Sequence, residues 1–348
     1  MKKNLQLALA LMLGLATTVS AQDWSVNSNT RVNNHDVDGV TSMDTEQFTR
    51  MNVAFGGDAV SVNASFNADY NFGGGDATFG VHTATATTNI MSFASVTAGR
   101  MALNFGSGRI IGSNDWNNDG NTWDGMMFGI NNDFADIHVG YASANIEGAG
   151  EDDFDNTQMV FNVAKDMGDM GFNLLYVSTD MSGTELTAMG LDGTYAMANG
   201  ANISFGYYTA EGYVTNANTS GDMGLMSVGV DYGVNDDLSV SAGYDMYDEG
   251  GFFLESGNVR NDFAGTGMRG ITDECDVMSF GGTYNMGDFT LGATMYNVTD
   301  DADLDYSVTD LSLGYSFSEN SSLSVHMSNG QSDNEDNTRM WLGVHVGF

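Results

Sequence analysis

Residues Asp58–Tyr70 read DAVSVNASFNADY. Val60, Val62, Ala64, Phe66, Ala68 and Tyr70 fall on one side of an extended chain, and Ser61, Asn63, Ser65, Asn67 and Asp69 on the other. Strict period-two alternation sets one face in an apolar medium and the other in a polar one. The same pattern runs through ADIHVGYASA (135–144), LSVSAGYDMY (238–247), FTLGATMYNV (289–298) and SSLSVHMSNG (321–330). No stretch shows a helical apolar stripe.

The connections alternate as well. Short Gly/Asn/Asp turns (FGGDAV, INNDFA, MANGAN, NMGDF) are separated by longer acidic segments such as IEGAGEDDFDNT and GQSDNEDNT. Tight turns on one side and long loops on the other predict an all-β, transmembrane antiparallel β-barrel of the outer-membrane kind. A soluble sandwich also alternates. Long strands without a separate core cluster, with aromatic residues near strand ends, favour the barrel. Hairpins counted by their short turns, plus a first and a last strand, give about 18 strands, with 16 as the next choice; each strand spans roughly ten residues of membrane.

Both ends fit this reading. MKKNLQLALALMLGLATTVSAQDW opens with Lys2 and Lys3, an apolar run from Leu5 to Leu15 and small residues up to Ala21. That is a secretory signal peptide over residues 1–21, cut after Ala21, leaving 22–348 as one barrel domain. The final RMWLGVHVGF alternates through Met340, Leu342, Val344 and Val346 and ends on Phe348. It resembles the terminal signal of bacterial outer-membrane barrels, which implies the barrel-assembly machinery as a partner.

Composition excludes other classes. The chain has ten Lys and Arg against 46 Asp and Glu, a formal charge of −36. Without the two signal lysines, eight basic residues remain, a surface that repels nucleic acid. Cys275 is the only cysteine, so no internal disulfide forms. The five histidines, His35, His82, His138, His326 and His345, show no metal-ligand spacing. No grouping of nucleophile and base supports an enzyme. The acidic clusters read as solvated outer loops, or as sites that bridge to lipopolysaccharide through divalent cations.

One segment breaks the monotony: GRMALNFGSGRIIGSNDWNNDGNTWDG, residues 99–125. A nucleotide-binding loop fails because the third glycine position holds Ile111 and a phosphate-loop lysine is missing. Asp115, Asn117 and Asp119 match the first half of a calcium loop, but Met126 occupies the closing carboxylate position. They remain weak candidates for a loop-bound divalent cation. Read whole, G-R-x-x-L-N-F-G, G-R-x-x-G, D-W-x-N-x-G and W-D-G resemble the alginate-export family of outer-membrane barrels. The resemblance implies an 18-stranded porin passing polysaccharides or small solutes. The family's arginine-rich lumen has little counterpart here, so a neutral or cationic solute is at least as well suited as alginate.

A charge facing lipid at mid-membrane costs about 2–4 kcal/mol. Arg50 and Arg100 are therefore expected to face the lumen, with Met101, Leu103 and Phe105 towards lipid and Asn104 inward. Arg100 and Asp124 are placed to pair across adjacent strands. The connection Gly106–Asn121 is expected either to fold inward, with Arg109, Asp115 and Asp119 lining a constriction, or to stay exposed. The alternative to an open porin is a closed or plugged barrel with a structural or surface-binding role.

Overall fold

The computed structural model describes residues 22–347 apart from 38, 58, 75–76, 115–119, 132, 146–156, 182–183, 217–218, 221, 255, 259–270, 272–273, 301–305 and 333–335. The signal segment, Asp115, Asn117, Asp119 and Phe348 thus lie outside the described residues.

The chain begins with β1 (Gln22–Val37), β2 (Val40–Gly56), β3 (Val60–Asn71), β4 (Thr78–Met91) and β5 (Ala94–Met101). After a long connection come β6 (Thr122–Asn131), β7 (Asp136–Asn145), β8 (Thr157–Asp166), β9 (Met170–Met181), β10 (Thr184–Ala196) and β11 (Ala201–Glu211). β12 (Val214–Asn216) and β13 (Thr219–Ser220) form a separate small hairpin. β14 (Met223–Gly233), β15 (Leu238–Tyr247) and β16 (Cys275–Met286) follow. The series ends with β17 (Phe289–Asp300), β18 (Tyr306–Ser318), β19 (Ser321–Ser332) and β20 (Asp336–Gly347).

All but β12 and β13 belong to one 18-stranded sheet, closed by pairing of β1 with β20. The structure is a closed antiparallel β-barrel. Closure leaves no open strand edge, which an apolar solvent would punish. Turns at the end where the chain enters β1 are short and hold glycines that tolerate positive φ, as in Gly287 (φ +60°) between β16 and β17. At the other end the connections vary more than the sequence suggests: only two residues separate β1 from β2 and β9 from β10. There the strands themselves extend, and β2 reaches 17 residues.

The outward face is apolar over most of the circumference, with Phe128, Tyr141, Phe161, Tyr207 and Phe280 exposed. The interior also holds apolar material. Met101, Phe105, Ile110, Ile111, Trp123 and Leu225 belong to one buried cluster that joins the β5–β6 connection to the inner wall.

This corrects the expected phase of β5. Registration carries one row of residues from Trp24 through Val53, Ala64, Ala84 and Arg100 to Asp124. Trp24 is 59% exposed on the outside, so Arg100 and Asp124 face outward. Met101 and Phe105 point inward, where Met101 stands opposite the fully buried Trp123. The expectation failed because it took lipid to be the only apolar medium on offer. The expected pair does form: Arg100 Nε and Nη2 donate to the two Asp124 carboxylate oxygens at 2.8 and 2.7 Å, and Nη1 donates to Val81 O at 3.2 Å. Bidentate geometry offsets part of the cost of a charge on this wall.

Alanine replacement of Arg100 and Asp124, singly and together, is expected to give non-additive losses of thermal stability in detergent. The expected coupling is roughly 1 kcal/mol. Additive losses would refute the brace.

Candidate functional site

The site is built where the β5–β6 connection enters the barrel. Gly106 turns the chain with φ +55° directly against the wall; a Cβ there would lie 2.4 Å from Asn173 Nδ2. Ser107 N then donates to Asp192 Oδ1 at 3.1 Å, and Ser107 Oγ bonds Tyr208 OH at 2.7 Å. Asp192 also accepts from Asn173 Nδ2, which links β9, β10 and the loop. Glycines at inward positions make room for this: a Cβ on Gly190 or Gly206 would meet the Tyr208 ring at 2.7 or 2.5 Å.

Arg109 continues the contact. Its Nη2 donates to Asp245 Oδ2 at 2.9 Å, with side-chain exposures of 16% and 13%. Ser227 Oγ donates to the other carboxylate oxygen. Burial opposes the guanidinium charge, but Tyr247, Asp245 and Tyr208 outweigh it, and the Arg109 pKa is raised. The cation is held rather than neutralised.

A second segment, residues 248–258, latches the first. Asn258 N donates to Gly108 O at 2.8 Å, and Asn258 Oδ1 accepts from Asn114 N at 2.8 Å. Gly112 N donates to Ser256 O at 2.8 Å, and Ser256 Oγ donates to Ile110 O at 2.7 Å. Gly108 (φ +75°) leaves no space for a side chain, since a Cβ would lie 2.0 Å from Asn258 Nδ2. Asn104 Oδ1 accepts from the same Nδ2 at 3.2 Å. A cavity of about 580 Å³ opens beside the docked loop, lined by Ser107, Arg109, Asn173, Asp192 and Ser227 among others.

The wall of β19, β20, β1, β2 and β3 is polar on its inward face. Arg31 meets Glu46 at 3.4 Å and stands 4.7 Å from the centre of the Trp341 ring, on which His326 stacks at 3.9 Å. Arg50 Nε donates to Asn67 Oδ1 at 2.8 Å, and Arg50 lies over the Phe48 ring. Asn33 Nδ2 donates to Asp44 Oδ2 at 2.9 Å.

Of the residues singled out from sequence, Asn104 and Arg109 come together with the docked loops, Arg50 faces inward on β2, and Arg100 and Asp124 stand outside. Asp115, Asn117 and Asp119 lie outside the described residues. Among the described residues no three His, Cys, Asp or Glu side chains converge to hold a metal. Sequence reasoning missed Asp192, Asp245, Tyr208 and Asn258. Asp192 and Asp245 do sit in the inward phase of their strands, in GLDGTY and SAGYDMY, but nothing local ties either to the distant loop.

No sequence family and no curated protein matches this chain, so the alginate-export resemblance gains no support. Solved structures do match. Pseudomonas aeruginosa OccK3 (OpdO) is 13% identical, with 97% of this chain and 98% of that chain covered at a TM-score of 0.74. P. aeruginosa OccK11 (OpdR) is 12% identical, covering 95% and 97%, with a TM-score of 0.73. P. aeruginosa OpdK, solved with vanillate, is 10% identical, covering 94% and 99%, at 0.72. The barrel has the fold of these Occ outer-membrane porins.

Replacing Asn258 with Ala is expected to release the Asn114 amide. Its hydrogen exchange should accelerate several-fold, as loss of one hydrogen bond of about 1 kcal/mol requires, while strand amides stay unchanged. Unaltered protection at Asn114 would show that the latch is not held by this side chain.

Proposed function

We propose that this protein is an outer-membrane porin for passive diffusion of small solutes, and not an enzyme. The observation that carries the reading is the two-sided interior. Docked loops fill one side of the barrel with a buried apolar cluster, while the inward wall from β19 to β3 stays polar and charged. A solute path then runs along that wall, past Arg31, Arg50 and Trp341, and is narrowed by the loop that carries Arg109. The solved structures of the same fold are porins, and one was obtained with a small aromatic acid, vanillate. Support for alginate rests on the 99–125 motif alone, and we do not extend the reading to a polyanion.

Residues 1–21 serve export, and the final strand through Phe348 serves recognition by the assembly machinery. In this reading the short turns face the periplasm, and the acidic loops face outward beside lipopolysaccharide, with divalent cations between them. Net acidity favours cations at the mouth.

Reconstitution in planar bilayers should give stepwise conductance with a cation-biased reversal potential. A silent protein that also blocks liposome swelling by small sugars would favour the plugged barrel. Arg50→Gln should move the reversal potential further to the cation side. An unchanged potential would place Arg50 off the conduction path.

A further inference from the structure

We propose that the outward wall of β1–β6 is covered, in the membrane, by a second copy of this chain rather than by lipid. Two separate features point to it. The first is a polar island on β1 and β2. Thr30 Oγ1 donates to Gln47 Oε1, Gln47 Nε2 donates to Ser28 Oγ at 2.7 Å and to Phe48 O, and Ser28 shares a hydrogen with Thr49 at 3.2 Å. Registration places apolar neighbours on both sides: Val346 and Val344 on β20, Ala68 and Tyr70 on β3. The second feature is the Arg100–Asp124 pair at the far edge of the same wall, with exposures of 31% and 47%.

Both features lie within the hydrocarbon band. Thr49 is six residues above Phe55, the lowest outward residue of β2, and Asp124 is six residues from Ile130. At about 3.3 Å per residue and a tilt near 40°, each sits roughly 15 Å up a band about 25 Å tall. A charge or amide facing acyl chains at that depth is expensive, and headgroups do not reach it. Between the two features the outward residues mix alanines (Ala64, Ala68, Ala84, Ala86 and Ala98) with Val62, Phe66, Phe79 and Val81. The rest of the circumference is apolar, with Tyr141, Phe161, Tyr207 and Phe280 exposed.

The occupant follows from what the patch offers. Within the island, both Gln47 amide protons and the Thr30 hydroxyl proton are used. Ser28 and Thr49 share one proton, so one hydroxyl proton and several lone pairs find no partner among these four side chains. The other edge carries a cation and an anion together. A surface that is donor and acceptor, positive and negative, complements a rotated copy of itself, as a symmetric contact demands.

The test is site-directed disulfide formation in proteoliposomes that contain only this protein. Ala84→Cys and, on the opposite wall, Phe161→Cys are compared after oxidation with copper phenanthroline. Cys275 is buried and serves as the silent background. Heat-modifiable mobility confirms that each variant is folded. Ala84→Cys should form covalent dimer at least tenfold more than Phe161→Cys, and adding Gln47→Leu with Thr49→Val should lower that yield several-fold. Equal yields at the two positions would mean random collision and overturn the proposal. So would no dimer at position 84, a yield indifferent to the island, or cross-linking in native membranes only to a chain of another mass. Conductance of a single barrel does not enter the result, so it stands or falls apart from the porin reading.

Discussion

A backbone polar group left without a partner in hydrocarbon costs several kcal/mol. For a chain that crosses by strands, that one constraint requires the first strand to find the last, as β1 finds β20 along 11 paired residues. The alternation of side chains is a consequence: once the ladder is closed, every strand has an inside and an outside, and registration transmits the distinction around the ring. The row from Trp24 to Asp124 shows how rigidly it does so. One exposed tryptophan on β1 settles which way a carboxylate on β6 points.

A ring of 18 strands is too wide for its own side chains to fill. Here the space is divided by chain rather than by side-chain volume. The β5–β6 connection places Ile110 and Ile111 in one buried cluster with Val160, Leu175 and Tyr208 of the wall, and the segment before β16 adds Phe252 and Leu254. Polar bonds set where this filling stops. Ser107 to Asp192 and Arg109 to Asp245 fix the loop to β10 and β15, and Asn258 ties the two segments to each other. The opposite wall, with Arg31, Arg50 and Trp341, receives no such cover from the described loops.

The barrel and its strand count were legible in the sequence because period two and turn chemistry are local signals. Face assignment was less so. On β4, Phe79 and Val81 face outward and so do Ala84 and Ala86, a switch of parity made by a bulge at His82, which pairing skips. Nothing in TFGVHTATA announces that extra residue. At Arg100 the reading failed for another reason: Met101 and Phe105 looked like lipid-facing residues, whereas their apolar partner is a loop of the same chain. The docked site was legible as a motif and illegible as a geometry. Asp192, Asp245 and Asn258 stand about 85 to 154 residues from the loop atoms they bind, beyond the reach of any local pattern.

Net charge alone is a poor guide to what a solute meets inside. Six basic residues of the mature chain are described; Arg31, Arg50, Arg109 and Arg339 face the interior, and Arg100 and Lys165 face out. The acidic loops dominate the total, but at physiological salt a charge is felt over only about 8 Å. A molecule that has passed the mouth therefore responds to the few guanidinium groups beside it more than to dozens of carboxylates beyond that distance. Arg31 beside Glu46, and Arg109 beside Asp245, are paired at close range, so each contributes a local dipole rather than a bare charge. The interior is thus polar, and two of its guanidinium groups are matched locally by a carboxylate. In the proposed porin such an interior would select small solutes by size and by local hydrogen bonding, with inward arginines such as Arg50 modulating the cation preference set at the acidic mouth.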